Sequence, residues 1–139
     1  MSAPAFVDTN ILIYADDVAN PAKRLGAQDL IRQLLHERSA HLSMQVLQEY
    51  SVVATRKLRM DPIAVRQRIE IYSQLNIVTM TPRDLIAAID LHRLHGFSIW
   101  DTLILRAAII SGCETLYTED LQAGFRIEKL EIVNPFASS

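Results

Sequence analysis

With 139 residues, 50% hydrophobic content and a formal net charge of −2 at pH 7, the chain is sized for one compact domain, 1–139, with a sizeable apolar core. That charge argues against a grip on nucleic acid through bulk positive field, a lone Cys113 excludes an internal disulfide, and no apolar run approaches the roughly 18 residues of a transmembrane helix. The opening Met1-Ser2-Ala3-Pro4-Ala5 has no basic stretch followed by an apolar one, so the expectation is a cytoplasmic protein without a membrane partner.

Ala5-Phe6-Val7 is a short apolar run that stops at Asp8, the pattern of a buried strand. Helix starts follow at Asn20-Pro21, Ser43, Asp61-Pro62 and Thr81-Pro82. Each is a capping residue, and three are backed by proline at the first helical position. Between the helices, His41-Leu42 and Ile77-Val78-Thr79-Met80 read as strands, followed by Thr115-Leu116-Tyr117 and Leu130 to Val133. Strands alternating with helices of about 10 to 15 residues predict an α/β fold, an α/β/α sandwich around a mainly parallel sheet. Ligands in such sheets bind beyond the carboxyl ends of the strands, and Asp8 and Asp120 both fall there.

The helix expected from about Ser98 to Gly112 is apolar nearly all the way round, which predicts a core helix with Trp100 and, near its end, Cys113 as core residues. Asp101 stands three residues after Ser98, the spacing of a capping box. On a buried helix a carboxylate also needs a partner or a metal to offset its desolvation, which favours a functional role. The same spacing from Thr81 to Asp84 sits among polar neighbours and reads as a plain cap. Glu49 lies on the border of the stripe formed by Val46, Leu47, Tyr50, Val53 and Ala54, where a solvated glutamate paired with Arg56 is the commoner outcome. Eleven of the fourteen cations are arginine, clustered at Lys23-Arg24, at Arg56-Lys57 with Arg59, and at Arg66 with Arg68. Arginine forks onto phosphate, but a solvated helix face accounts for each one taken singly. His92 and His95 have a metal-compatible spacing without a third ligand, and fit better as a solvated helix end near Gly96.

Four stretches carry a resemblance: Phe6-Val7-Asp8-Thr9-Asn10-Ile11-Leu12-Ile13-Tyr14-Ala15, Gln48-Glu49-Tyr50, Ser98-Ile99-Trp100-Asp101-Thr102-Leu103-Ile104 and Tyr117-Thr118-Glu119-Asp120-Leu121-Gln122. Through them the sequence resembles, over essentially its whole length, the PIN-domain nucleases, in particular the VapC-type toxins. The resemblance implies an acidic quartet of Asp8, Glu49, Asp101 and Asp120, ordered by Asn10 and Thr118. Asp8, Asp101 and Asp120 become expected metal ligands, with Glu49 and Glu119 as further ones, and the fourth acid stays open between Glu119 and Asp120. A set of carboxylates alone favours Mg²⁺ or Mn²⁺ over Zn²⁺. By the same resemblance the substrate is RNA, the protein is a homodimer, and a cognate antitoxin holds it inactive. Two alternatives stay open: a non-catalytic PIN-like module that binds RNA or protein, and a haloacid-dehalogenase-like phosphatase. The phosphatase asks for an acid where Asn10 stands.

Overall fold

The computed structural model describes residues 3–136. Met1 and Ser2 of the opening segment, and residues 137–139 of the expected 1–139 domain, lie outside the described residues. In chain order the elements are β1 (Ala5–Val7), α1 (Thr9–Tyr14), α2 (Pro21–Glu37), β2 (Ala40–Ser43), α3 (Met44–Arg56), α4 (Pro62–Tyr72), β3 (Asn76–Val78), α5 (Pro82–His95), α6 (Ile99–Ile110), β4 (Thr115–Tyr117), β5 (Arg126–Ile127) and β6 (Leu130–Val133).

They form a six-stranded sheet in the order β3-β2-β1-β4-β6-β5. All neighbouring pairs are parallel except β5 with β6. From β1 the chain steps twice one way, to β2 and β3, then crosses back to lay β4 on the other edge of β1. Right-handed crossovers therefore place α1 to α4 on one face and α5 with α6 on the other. Accordingly α1 packs on α2 and α3, α3 on α4, and α5 on α6. Phe6, Leu42, Leu116 and Ile132 supply fully buried side chains from four strands, packed with Ile11, Val46 and Leu105 from the helices. Burial of each such side chain contributes roughly 1.5 to 3 kcal/mol.

The capping signals translate into hydrogen bonds at most helix starts. Ser43 Oγ accepts from Val46 N and Asp61 from Ile63 N, and Asp84 accepts from Thr81 N at 2.9 Å. Asn20 occupies its cap position but makes no capping bond, because its amide donates to Asp17 at 2.6 Å instead. Two elements lie outside the sequence expectation: α1, only 6 residues long, and β5, only 2, both too short to show a period. β3 ends at Val78, opposite Ser43, where β2 turns into α3, so Thr79 and Met80 are not strand residues.

The expectation of a helix buried all round is corrected at α6. Its middle is core, through Thr102, Ile104, Leu105, Ala107 and Ala108, and Cys113 is buried as expected. Ile99 and Ile110 are partly exposed, and Trp100, expected in the core, is 68% exposed. The reason is topological. A helix that leads into a parallel strand runs antiparallel to it, so the first turn of α6 overhangs the carboxyl edge of the sheet, where little covers it. Among the described residues no helix is long and apolar enough to cross a membrane.

Candidate active site

The chain reverses its direction of travel across the sheet between β1 and β4, which makes their carboxyl ends the topological switch point. Asp8 follows β1 directly and is 5% exposed. It caps α1 by accepting from Thr9 N at 2.7 Å. Parallel pairing brings Thr118, one residue past β4, alongside it, and the Thr118 hydroxyl donates to the second Asp8 oxygen at 2.8 Å. The Asn10 amide nitrogen donates to Asp120 at 2.9 Å and, at 3.3 Å, to Thr118 Oγ, which also accepts from Asp120 N at 3.1 Å. Asn10 and Thr118 thus tie Asp8 and Asp120 into one hydrogen-bonded unit across the two strand ends.

The other two acids arrive on helices. α3 packs on α1 and carries Glu49, whose carboxylate accepts from Gln45 at 2.6 Å rather than from the expected Arg56. Asp101 lies in the overhanging first turn of α6, its N–H donating to the Ser98 hydroxyl at 3.1 Å. Burial pushes the Asp8 pKa up to about 6, the Thr118 and Thr9 bonds oppose that, and the charges of Asp120 and Glu49 add to it. Asp101 is raised by burial first and by the charge of Asp120 last, with Ser98 opposing. Asp8 thus feels the charges of Asp120 and Glu49, and Asp101 that of Asp120.

Among the described residues, however, no three His, Cys, Asp or Glu side chains already converge as a ligand cage. Three partly exposed cations are committed elsewhere, Lys23 to Glu119, Arg68 to Asp16 and Arg106 to Asp84, and among the described residues no ion pair reaches the four acids. A buried carboxylate in the field of two others, without a cation, fits a hard divalent ion.

Glu119 is turned away from this cluster. Its carboxylate accepts from Tyr14 OH at 2.7 Å and from Lys23 at 2.5 Å, and the Lys23 bond above all holds its pKa below the usual carboxylate range. Only its backbone N–H joins the site, donating to the Asn10 side-chain oxygen at 3.3 Å. Asp84 reverses an expectation: it is the buried one of the two helix-opening aspartates, at 7% exposure, and Arg106 of α6 meets it at 3.0 Å. His92 is bonded to Phe97 O, and His95 packs against the Phe97 and Phe125 rings rather than ending in solvent alone. Gln45 is the site residue that the sequence did not signal, since an amide on a helix flank has no distinctive pattern.

The PIN domain profile matches residues 5–126, a span that holds every one of these acids. The chain belongs to the PIN domain family. No curated protein sequence matches this PIN domain, but solved structures share its fold. VapC20 of Mycobacterium tuberculosis, described as a toxin that cleaves the sarcin-ricin loop, has 18% identity and a TM-score of 0.66, over 84% of this chain and 89% of that one. A toxin–antitoxin complex from Klebsiella pneumoniae has 23% identity and a TM-score of 0.65, over 95% and 98%. VapBC2 of Rickettsia felis, solved with a DNA fragment from its promoter, has 19% identity and a TM-score of 0.65, over 92% and 96%. At these identities the likeness establishes the PIN fold alone.

Proposed function

We propose that this PIN domain, spanning 1–139, is a metal-dependent endoribonuclease that hydrolyses phosphodiester bonds in RNA, and the cytoplasmic toxin of a toxin–antitoxin pair. It acts as a homodimer, and a cognate antitoxin restrains it. The observation that carries the reading is Asp8: a buried, cation-free carboxylate at the switch point, in the field of Asp120 and Glu49. The toxins and toxin–antitoxin complexes with the same fold support the choice of reaction and partners.

Asp8, Asp101 and Asp120 would hold Mg²⁺ or Mn²⁺. When bound, such an ion supplies Lewis-acid chemistry, making water acidic enough to attack and neutralising charge on the scissile phosphate. Asn10 and Thr118 orient the Asp8 and Asp120 oxygens through the bonds described above. Glu49, opposite Asp8 on α3, takes the proton of the attacking water. Asp120 rather than Glu119 serves as the fourth acid, because Lys23 and Tyr14 already occupy both oxygens of Glu119.

The test is a side-by-side digestion of single-stranded RNA and DNA by the native protein, Asp8→Asn and Asp101→Asn, each with Mn²⁺ or with chelator. Cutting of RNA by the native protein alone, and only with the ion, is expected; Mn²⁺-dependent cutting by both variants overturns the reading. Expression of the native protein should halt growth and a co-expressed neighbouring small protein should relieve it.

A further inference from the structure

Trp100 is the single tryptophan of the chain, and it stands 68% exposed on the turn that carries Asp101. Two grooves share Trp100 in their lining: one along α3 is also lined by Gln48, Glu49 and Val52, and the other by Leu103 and Met80. Gln45 lines both. Its amide nitrogen donates to Glu49 and, at 3.3 Å, to Trp100 O, which clamps the overhanging turn of α6 to α3. The backbone of the turn that bears the indole and Asp101 is thus tied to α3 next to Glu49.

We propose that Trp100 is a stacking platform for an unpaired nucleobase next to the scissile phosphate, and so a positioning residue for single-stranded or looped RNA. The inference rests on the ribonuclease reading above. The acids and the net charge of −2 deny the site a strong positive field for the backbone, which leaves base contacts a larger share of the affinity. An exposed indole provides it, since every base has a face to stack and the contact tolerates sequence. Gln45 and Gln48 flank the ring with neutral donors and acceptors suited to base edges. A base already stacked in a duplex is not free to leave it, which selects unpaired substrate. The groove along α3 is lined by Glu49, and Trp100 directly precedes Asp101 in α6, which favours the strand being cut over a protein partner as the occupant of that groove.

Because Trp100 has no other tryptophan to mask it, its fluorescence reports the platform directly. The native protein in chelator is titrated with a single-stranded ten-nucleotide RNA and with the same sequence as a duplex. Quenching by the single strand and little by the duplex is expected. In cleavage assays Trp100→Ala raises KM roughly tenfold with kcat nearly unchanged, and Trp100→Phe restores most of the loss. Circular dichroism of Trp100→Ala should match the native spectrum, as befits an exposed side chain. No quenching, or a native KM in Trp100→Ala, overturns the proposal, as does a variant that changes only oligomeric state or antitoxin binding. Quenching without any cutting sinks the ribonuclease reading and with it the placement beside a scissile phosphate, whereas cutting without quenching sinks the platform alone.

Discussion

Asp8 receives bonds from Thr9 and Thr118 but no cation, and its pKa rises from 3.8 to about 6. A carboxyl whose pKa is higher folded than unfolded contributes stability below the unfolded value and loses it as pH climbs through the folded one. The metal-free protein therefore carries a charge cost at Asp8 above pH 6, at most about 3 kcal/mol. Asp8→Asn removes that charge, so in chelator it should melt above the native protein at pH 7.5 by a few degrees, and the gap should close near pH 4, where Asp8 is protonated. A proton on Asp8 would compete with the proposed metal ion for the same oxygens, so native cleavage should fall as pH drops through 6. Thr118→Val, isosteric at a fully buried position, removes the bond that restrains Asp8 and should move that acid limb to higher pH. At this scale the sequence discloses Asp8 and Asp101 well, because one ends an apolar strand and the other opens an apolar helix. It misplaces Trp100 and the relative burial of Asp84, because periodicity says which residues are apolar but not which turn of a helix overhangs the sheet, nor that Arg106 reaches across to Asp84.

Helix α6 links the acid it presents to the packing that holds it. Ser98 is its N-cap, accepting from Asp101 N, and one bond therefore steadies a turn that bears both Asp101 and Trp100. Ser98→Ala should cost about 1 kcal/mol in thermal melting and should lower cleavage more than that loss of stability explains. Asp84→Ala should lower the melting temperature further than Thr81→Ala, since it frees the first turn of α5 and also strands the Arg106 guanidinium against α6. Element boundaries are legible wherever a side chain announces them, as Ser43, Asp61 and Thr81 do. They are illegible in α1, where a single helical turn and a half follows a strand with no separating loop; at Asn20 the boundary is legible, though its amide bonds Asp17 and makes no cap.

For the whole molecule, alternation of strands and helices along the chain reveals a parallel sheet but not its order, because either edge of β1 offers β4 the same hydrogen bonds. What decides is long-range packing, and that choice sets Thr118 and Asp120 beside Asp8 at the switch point. Ligand binding to the folded state alone raises stability by roughly 2.7 kcal/mol at a hundredfold excess over Kd. Mn²⁺ should thus raise the melting temperature of the native protein, read by differential scanning fluorimetry, and leave those of Asp8→Asn and Asp101→Asn nearly unmoved. The bond from Thr118 to Asp8 spans 110 positions. A nascent chain emerging from the ribosome displays its first aspartate long before the strand that completes the crevice exists. For a protein proposed to cut RNA, activity therefore waits on the last third of the chain, and a polypeptide truncated before Thr115 should leave RNA intact.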